Sequence, residues 1–143
     1  MNICAPDILG CRVNDLRAIN DVLTHPDVYG ESARLTDISK CLILTIPGIV
    51  VGFAEVRPRI HECHQAVIPE MRGWKALEFM RDVRDWWWET QPSDLMIAPI
   101  PEHKKPARFL MHLLGFQRIG LYRAVSNDGI EREYVAYQME RPQ

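Results

Sequence analysis

The chain has 143 residues, 47% of them hydrophobic and 25% charged, with a formal net charge of −2. That length and balance suit one domain, over 1–143, able to bury about two-thirds of its unfolded surface without help from a metal or disulfide. They exclude a large basic face for nucleic acid, and no stretch reaches the roughly 18 apolar residues of a membrane span.

The four cysteines, Cys4, Cys11, Cys41 and Cys63, are scattered and form no C-x-x-C pair. Reduced thiols in a cytoplasm are expected, with neither zinc ligation nor a disulfide framework. Residues 1–9 lack the basic start and apolar centre of a signal peptide.

In chain order, residues 8–13 read as a short first strand. Asn14 or Asp15 caps a helix over 16–24, with Leu16, Ile19, Val22 and Leu23 on one side, and His25-Pro26 ends it. Residues 27–39 are polar and mixed, a short helix and a loop. The period then changes. The runs CLILTI (41–46) and IVVGFAEV (49–56) flank Pro47-Gly48 and predict a hairpin, and 60–68 (IHECHQAVI) is a third extended run between prolines.

Residues 73–90 have helical spacing, with Ala76, Leu77, Met80, Val83, Trp87 and Trp88 as an apolar stripe. A short buried strand follows over 95–100. A helix over 106–114 opens at Pro106 and stops at Gly115. Two final strands, 116–126 and 133–140, are joined at Asn127-Asp128-Gly129. This order predicts a mixed sheet with helices on its faces, an α/β or α+β layered domain. Trp86, Trp87 and Trp88 span most of a helix circumference, so they cannot share one core face; two are expected inside and one half-covered, and an alternative makes one an anchor for a partner.

The segment Val67-Ile68-Pro69-Glu70-Met71-Arg72-Gly73-Trp74-Lys75-Ala76 places a glycine-containing loop between a strand and a long helix. The first amides of a helix have no internal partners and carry the positive end of its dipole, which makes an anion site fit for a pyrophosphate. Gly73 lets backbone approach the anion, and Arg72 and Lys75 add positive charge. A plain strand-to-helix turn with solvated basic residues reads the same segment without a ligand.

On the strand before that loop, Glu62 and His64 share one side while His61 and Cys63 share the other. A carboxylate orienting an imidazole suits proton transfer near neutral pH, so Glu62 and His64 are the candidate base pair; otherwise they hydrogen-bond within the sheet or face water. Glu55 is a second base candidate. His61 and His64 point oppositely, so no metal site is expected, and Cys63 reads as buried packing rather than a nucleophile.

Two motifs carry a family resemblance. One is Pro69…Arg72-Gly73…Ala76, a P-x-x-R-G-x-x-A stretch; the other runs from Lys104 through Ala107 and Met111 to Gly115-Phe116. With His25-Pro26-Asp27-Val28, Glu62/His64 and Gly120, Arg123, Asn127 and Gly129, their order resembles the GNAT acetyltransferase superfamily from about residue 14 onward. The nearest resemblance is to small GNAT-like proteins of bacteriophages and prophages. Lys75 stands at the second glycine of the fuller loop motif and Glu70 at its opening Gln or Arg. Lys104 stands at the usual asparagine, and Met111 at the tyrosine that protonates the leaving thiolate.

The resemblance implies the GNAT fold, a mixed sheet splayed between its fourth and fifth strands with acetyl-CoA in the splay. Val67 and Ile68 would pair with the pantetheine arm. Met71, Arg72, Gly73, Trp74 and Lys75 would cradle the pyrophosphate, and Lys104 and Arg108 would reach the cofactor from the later helix. Tyr122 or His112 would stand in for the missing tyrosine. The expected activity is transfer of an acetyl group from acetyl-CoA to a primary amine by direct attack in the cytoplasm. The alternatives are a catalytically inactive structural or interaction protein of this fold, associated with a phage virion and partnered by a virion protein or a second copy, and a module that senses CoA.

Overall fold

Seven strands in the order β1-β2-β3-β4-β5-β7-β6 form one mixed sheet in the computed structural model, which describes residues 8–126 and 128–143. The elements are β1 (Arg12–Val13), α1 (Leu16–Leu23), β2 (Cys41–Ile46), β3 (Ile49–Arg57), β4 (Ile60–Val67), α2 (Trp74–Thr90), β5 (Leu95–Pro101), α3 (Lys105–Leu114), β6 (Gln117–Val125) and β7 (Glu131–Glu140). The first strand is shorter than expected because Leu9 and Gly10 take positive φ and Cys11 N–H closes a turn onto the Ile8 carbonyl. Between α1 and β2 the only regular piece is a 3-10 turn at Glu31–Ala33. Asn127, in the turn predicted between the last strands, and Cys4 lie outside the described residues.

Local chemistry sets these boundaries. Asp15 caps α1, its carboxylate accepting the Ala18 amide at 3.1 Å. Pro47-Gly48 turns β2 into β3 with a register from Ile46–Ile49 to Cys41–Ala54. A Cβ on Gly48, whose φ is +85°, would lie 2.6 Å from Met71 Cγ and 2.9 Å from the Ile68 side chain. The hairpin tip therefore supports the loop that precedes α2, and Ile68 N–H donates to the Gly48 carbonyl at 3.0 Å.

Alternation along the strands divides the core between the two faces. Leu44, Val51, Phe53 and Cys63 pack with α2 and α3, joined by Trp87, Met111 and Val135. Ile43, Val50 and Ala66 pack on the other face with Ile19 and Val22 of α1. Of the three tryptophans only Trp87 is fully buried, stacked on Phe53 at 4.1 Å with its indole N–H unpartnered. Trp86 and Trp88 are each partly covered, so one ring lies inside rather than two. Arg141 donates to the carbonyls of Trp88, Gln91 and Ser93 and so caps the C-terminal end of α2.

The feature that shapes the rest is the parallel pair β4 and β5. They pair only at Ile60–Leu95, His61–Met96 and Glu62–Ile97. Beyond that point β4 stays with β3 as far as Val67–Ile49, and β5 stays with β7 as far as Pro101–Tyr134. The carboxyl ends of the two strands thus diverge, the place where open α/β sheets hold ligands.

Candidate active site

Helix α2 begins beside this splay. Ile68 is extended, Pro69–Met71 make one 3-10 turn, and Gly73 is the N-cap with φ 94° and ψ −137°, a conformation that favours glycine. No side chain caps the helix, so its first-turn amides and dipole are presented without an internal acceptor. A Cβ on Gly73 would meet nothing within 4 Å, so the space before the helix is open. Trp74, 66% exposed, and Lys75 stand outward at its start.

The loop residues named from the sequence fall together here, with different duties. Val67 ends β4 and Ile68 leaves it, while Met71 packs against the core. The Arg72 guanidinium donates to the Val67 carbonyl at 3.2 Å and the Asp27 carbonyl at 2.9 Å. It therefore pins the loop to the His25–Asp27 turn and holds its charge in a fixed place. On α3, Arg108 is engaged within the protein, bonded to the Glu102 carbonyl and carboxylate and to the Tyr137 hydroxyl. Lys104 precedes α3, and its ammonium lies 4.1 Å above the Tyr29 ring.

Glu62 and His64 do share a face. Glu62 Oε1 and His64 Nε2 are 2.6 Å apart at the point where β4 leaves β5. The hydrogen bond from His64 holds the Glu62 carboxyl below the ordinary carboxylate range, against the opposing effect of partial burial. His61 points the other way: its Nδ1 lies 2.8 Å from the Ser93 hydroxyl and its ring meets Trp87 edge-on. Burial lowers its pKa more than Glu55 raises it. Cys63 is buried and its thiol is pushed up to about 12, mainly by desolvation, which makes it inert. Among the described residues no cluster of three or more His, Cys, Asp or Glu could hold a metal.

A cavity of about 650 Å³ opens on the α1 face of the splay, with His64 and Gln65 in its floor. Its walls bring together Tyr29, Pro101, Lys104, Tyr122, Arg132 and Tyr134 from segments far apart in sequence. Tyr122 and Tyr134 stack at 5.5 Å, and the Tyr134 hydroxyl is 2.6 Å from Ser126 Oγ. Burial, then the Glu62 charge, keeps the Tyr122 hydroxyl above its usual pKa. His112 is exposed on α3 beside Phe109. Met111 is fully buried, with Gln65 Nε2 3.8 Å from its sulfur. Tyr29 and Tyr134 carried no local signal; only the tertiary fold brings them to the cavity.

Residues 12–143 match the family model described as a protein of unknown function, DUF2824. No curated protein matches the sequence. Among solved structures, the chain is similar to a putative phosphinothricin N-acetyltransferase at 16% identity, covering 93% of this chain and 98% of that one, with a TM-score of 0.71. It is similar to a chimera of the spermidine N-acetyltransferase SpeG from Vibrio cholerae and hSSAT at 14% identity, covering 92% and 94%, with a TM-score of 0.72. A third is the microcin C7 self-immunity acetyltransferase MccE in complex with acetyl-CoA and AMP, at 14% identity, 71% of this chain and a TM-score of 0.62; the chain spans 61% of that protein's length. These likenesses establish the splayed α+β GNAT fold that the motifs implied.

Proposed function

Since the chain belongs to the DUF2824 family, its activity has to be read from its site, and we propose that it is an acetyl-CoA-dependent N-acetyltransferase acting on a primary amine, with 1–143 as one catalytic domain. The observation that carries this reading is the conjunction of two features. The amides at the start of α2 have no side-chain cap, and β4 and β5 separate after three paired residues. An anion binds well at such a helix start, and an extended pantetheine arm can complete the open strand edges as an added strand. That the microcin acetyltransferase was solved with acetyl-CoA supports the same assignment.

In this reading Val67 and Ile68 offer backbone to the pantetheine arm. Met71, Arg72, Gly73, Trp74 and Lys75 form the pyrophosphate cradle, with the fixed Arg72 guanidinium supplying charge rather than a direct clamp. Arg108 and Lys104, expected from the resemblance to reach the cofactor, take other tasks in this reading: Arg108 supports Glu102 and Tyr137, and Lys104, over the Tyr29 ring, serves the acceptor cavity instead of the cofactor. Bound acetyl-CoA supplies an activated acyl group. His64, oriented by Glu62, removes the proton from the attacking amine as the N–C bond forms. Amides on the free edge of β4 donate to the oxygen that gains charge. Tyr122 returns a proton to the sulfur as the C–S bond breaks, the task that buried Met111 cannot perform.

Thermal unfolding with and without acetyl-CoA tests the reading. A ligand at 100 times its Kd stabilises the native state by about 2.7 kcal/mol, so a rise of several degrees is expected. Gly73→Glu should abolish that rise by placing a carboxylate on the anion site. Gly73→Ala, with the same backbone strain and no charge, should retain most of it. No rise at millimolar acetyl-CoA would overturn the proposal.

A further inference from the structure

The lining of the cavity carries information about the acceptor. Its fully charged groups are Lys104, Arg132 and Asp128, and Asp128 is already paired with Arg132 at 2.8 Å. Lys104 is half-buried, and no carboxylate pairs with it among the described residues; its neighbour is the Tyr29 ring. The wall thus holds two cations against one carboxylate, and the carboxylate is spoken for. A half-buried ammonium with only an aromatic face beside it is incompletely compensated, and an incoming anion would supply what it lacks.

We propose that Lys104, supported by Arg132, binds an anionic group of the acceptor, so that the substrate is a primary amine carrying a carboxylate or comparable anion rather than a polyamine. This rests on the acetyltransferase reading and names the substrate class of the same site. Burial, and then the charges of Arg72 and Arg132, pull the Lys104 pKa below its ordinary value, the behaviour of a cation that gains by meeting an anion. The tyrosines Tyr29, Tyr122 and Tyr134 leave room beside the charge for an apolar or aromatic body.

Three probes with one skeleton test this: L-phenylalanine, L-phenylalaninamide and 2-phenylethylamine, with spermidine as a polycation. Binding is measured by ligand-observed NMR or calorimetry without cofactor, and turnover by thiol release from acetyl-CoA. L-phenylalanine should bind at least about ten-fold more tightly than the other three, one ion-pair's worth of discrimination. Lys104→Met should erase that preference, and Lys104→Arg should restore part of it. Acetyl-CoA stabilisation should be the same in wild type and Lys104→Met. Equal binding of amide and carboxylate, no binding of any probe, or a Lys104→Met loss confined to acetyl-CoA affinity would each overturn the proposal. Carboxylate-selective, Lys104-dependent binding without acetyl-CoA stabilisation would uphold the anion site and sink the transferase reading instead.

Discussion

Gly48 and Met71 lie so close that a single methyl on the glycine would sit 2.6 Å from the methionine Cγ. The β2–β3 turn is therefore the base on which the loop before α2 rests. Gly48→Ala should lower stability by about 1–3 kcal/mol, since Ala resists the positive φ and displaces Met71 and Ile68. Gly30→Ala, also at positive φ but with nothing within 4 Å, should cost only the conformational part. Thermal unfolding should rank Gly48→Ala as the worse variant, and acetyl-CoA affinity should fall in that variant alone. Equal effects would show that the two glycines serve backbone conformation only.

The Glu62–His64 bond predicts both a rate and a pH effect. Glu62→Gln should slow turnover by about 10²-fold or more, the usual contribution of positioned acid–base groups, with acetyl-CoA affinity unchanged. Because the Glu62 carboxyl titrates below its unfolded value of 4.5 in the folded protein, its contribution to stability is present above that value. It is lost as pH falls through the lower folded pKa. With the pair partly exposed, the difference between wild type and Glu62→Gln at pH 7 should be under about 1 kcal/mol. That difference should shrink as the pH is lowered from 5 toward 3. Urea unfolding across that range measures it, and a difference that grows toward low pH would contradict the assignment.

Tyr122 faces the cavity and carries a proton it could give to the leaving sulfur. Tyr122→Phe should reduce kcat by about 10²-fold, comparable to the loss of another general acid, and leave acetyl-CoA binding intact. His112→Gln should have no effect on either. If the two variants exchange these outcomes, the acid is His112.

Cysteine reactivity checks the packing independently. Burial pushes the Cys11 thiol up to about 11 and the Cys63 thiol up to about 12. Only the thiolate reacts, so neither should take iodoacetamide at pH 8 in the native state, and both should in urea. Peptide mapping by mass spectrometry reads the result. Native labelling of Cys63 would mean that the α2 face of β4 is open.

The parts of this fold legible in the sequence are those governed by short-range period and capping. CLILTI and IVVGFAEV declare their hairpin, Asp15 announces α1, and the two-residue repeat alone puts Glu62 beside His64. What stayed hidden depends on tertiary approach. Nothing near Tyr29 says that Lys104 will rest on its ring, and nothing near Arg72 says that the carbonyls of Val67 and Asp27 will use its guanidinium. The helical period shows that Trp86, Trp87 and Trp88 cannot share one face. The ring that enters was fixed by Phe53 and His61, on strands the helix pattern does not see.

The divergence of β4 from β5 leaves one strand in two kinetic environments. The stretch Ile60–Glu62 has neighbours on both sides, whereas beyond Glu62 β4 is laddered to β3 alone. Alternate amides in that outer half point into the gap and have no carbonyl across from them, so deuterium should enter there within the time that the inner half remains protected. A strand that is rigid at its root and exchange-labile at its tip is ready to be zipped by an extended molecule. The slowing of those few amides would register such a molecule even where no chemistry follows.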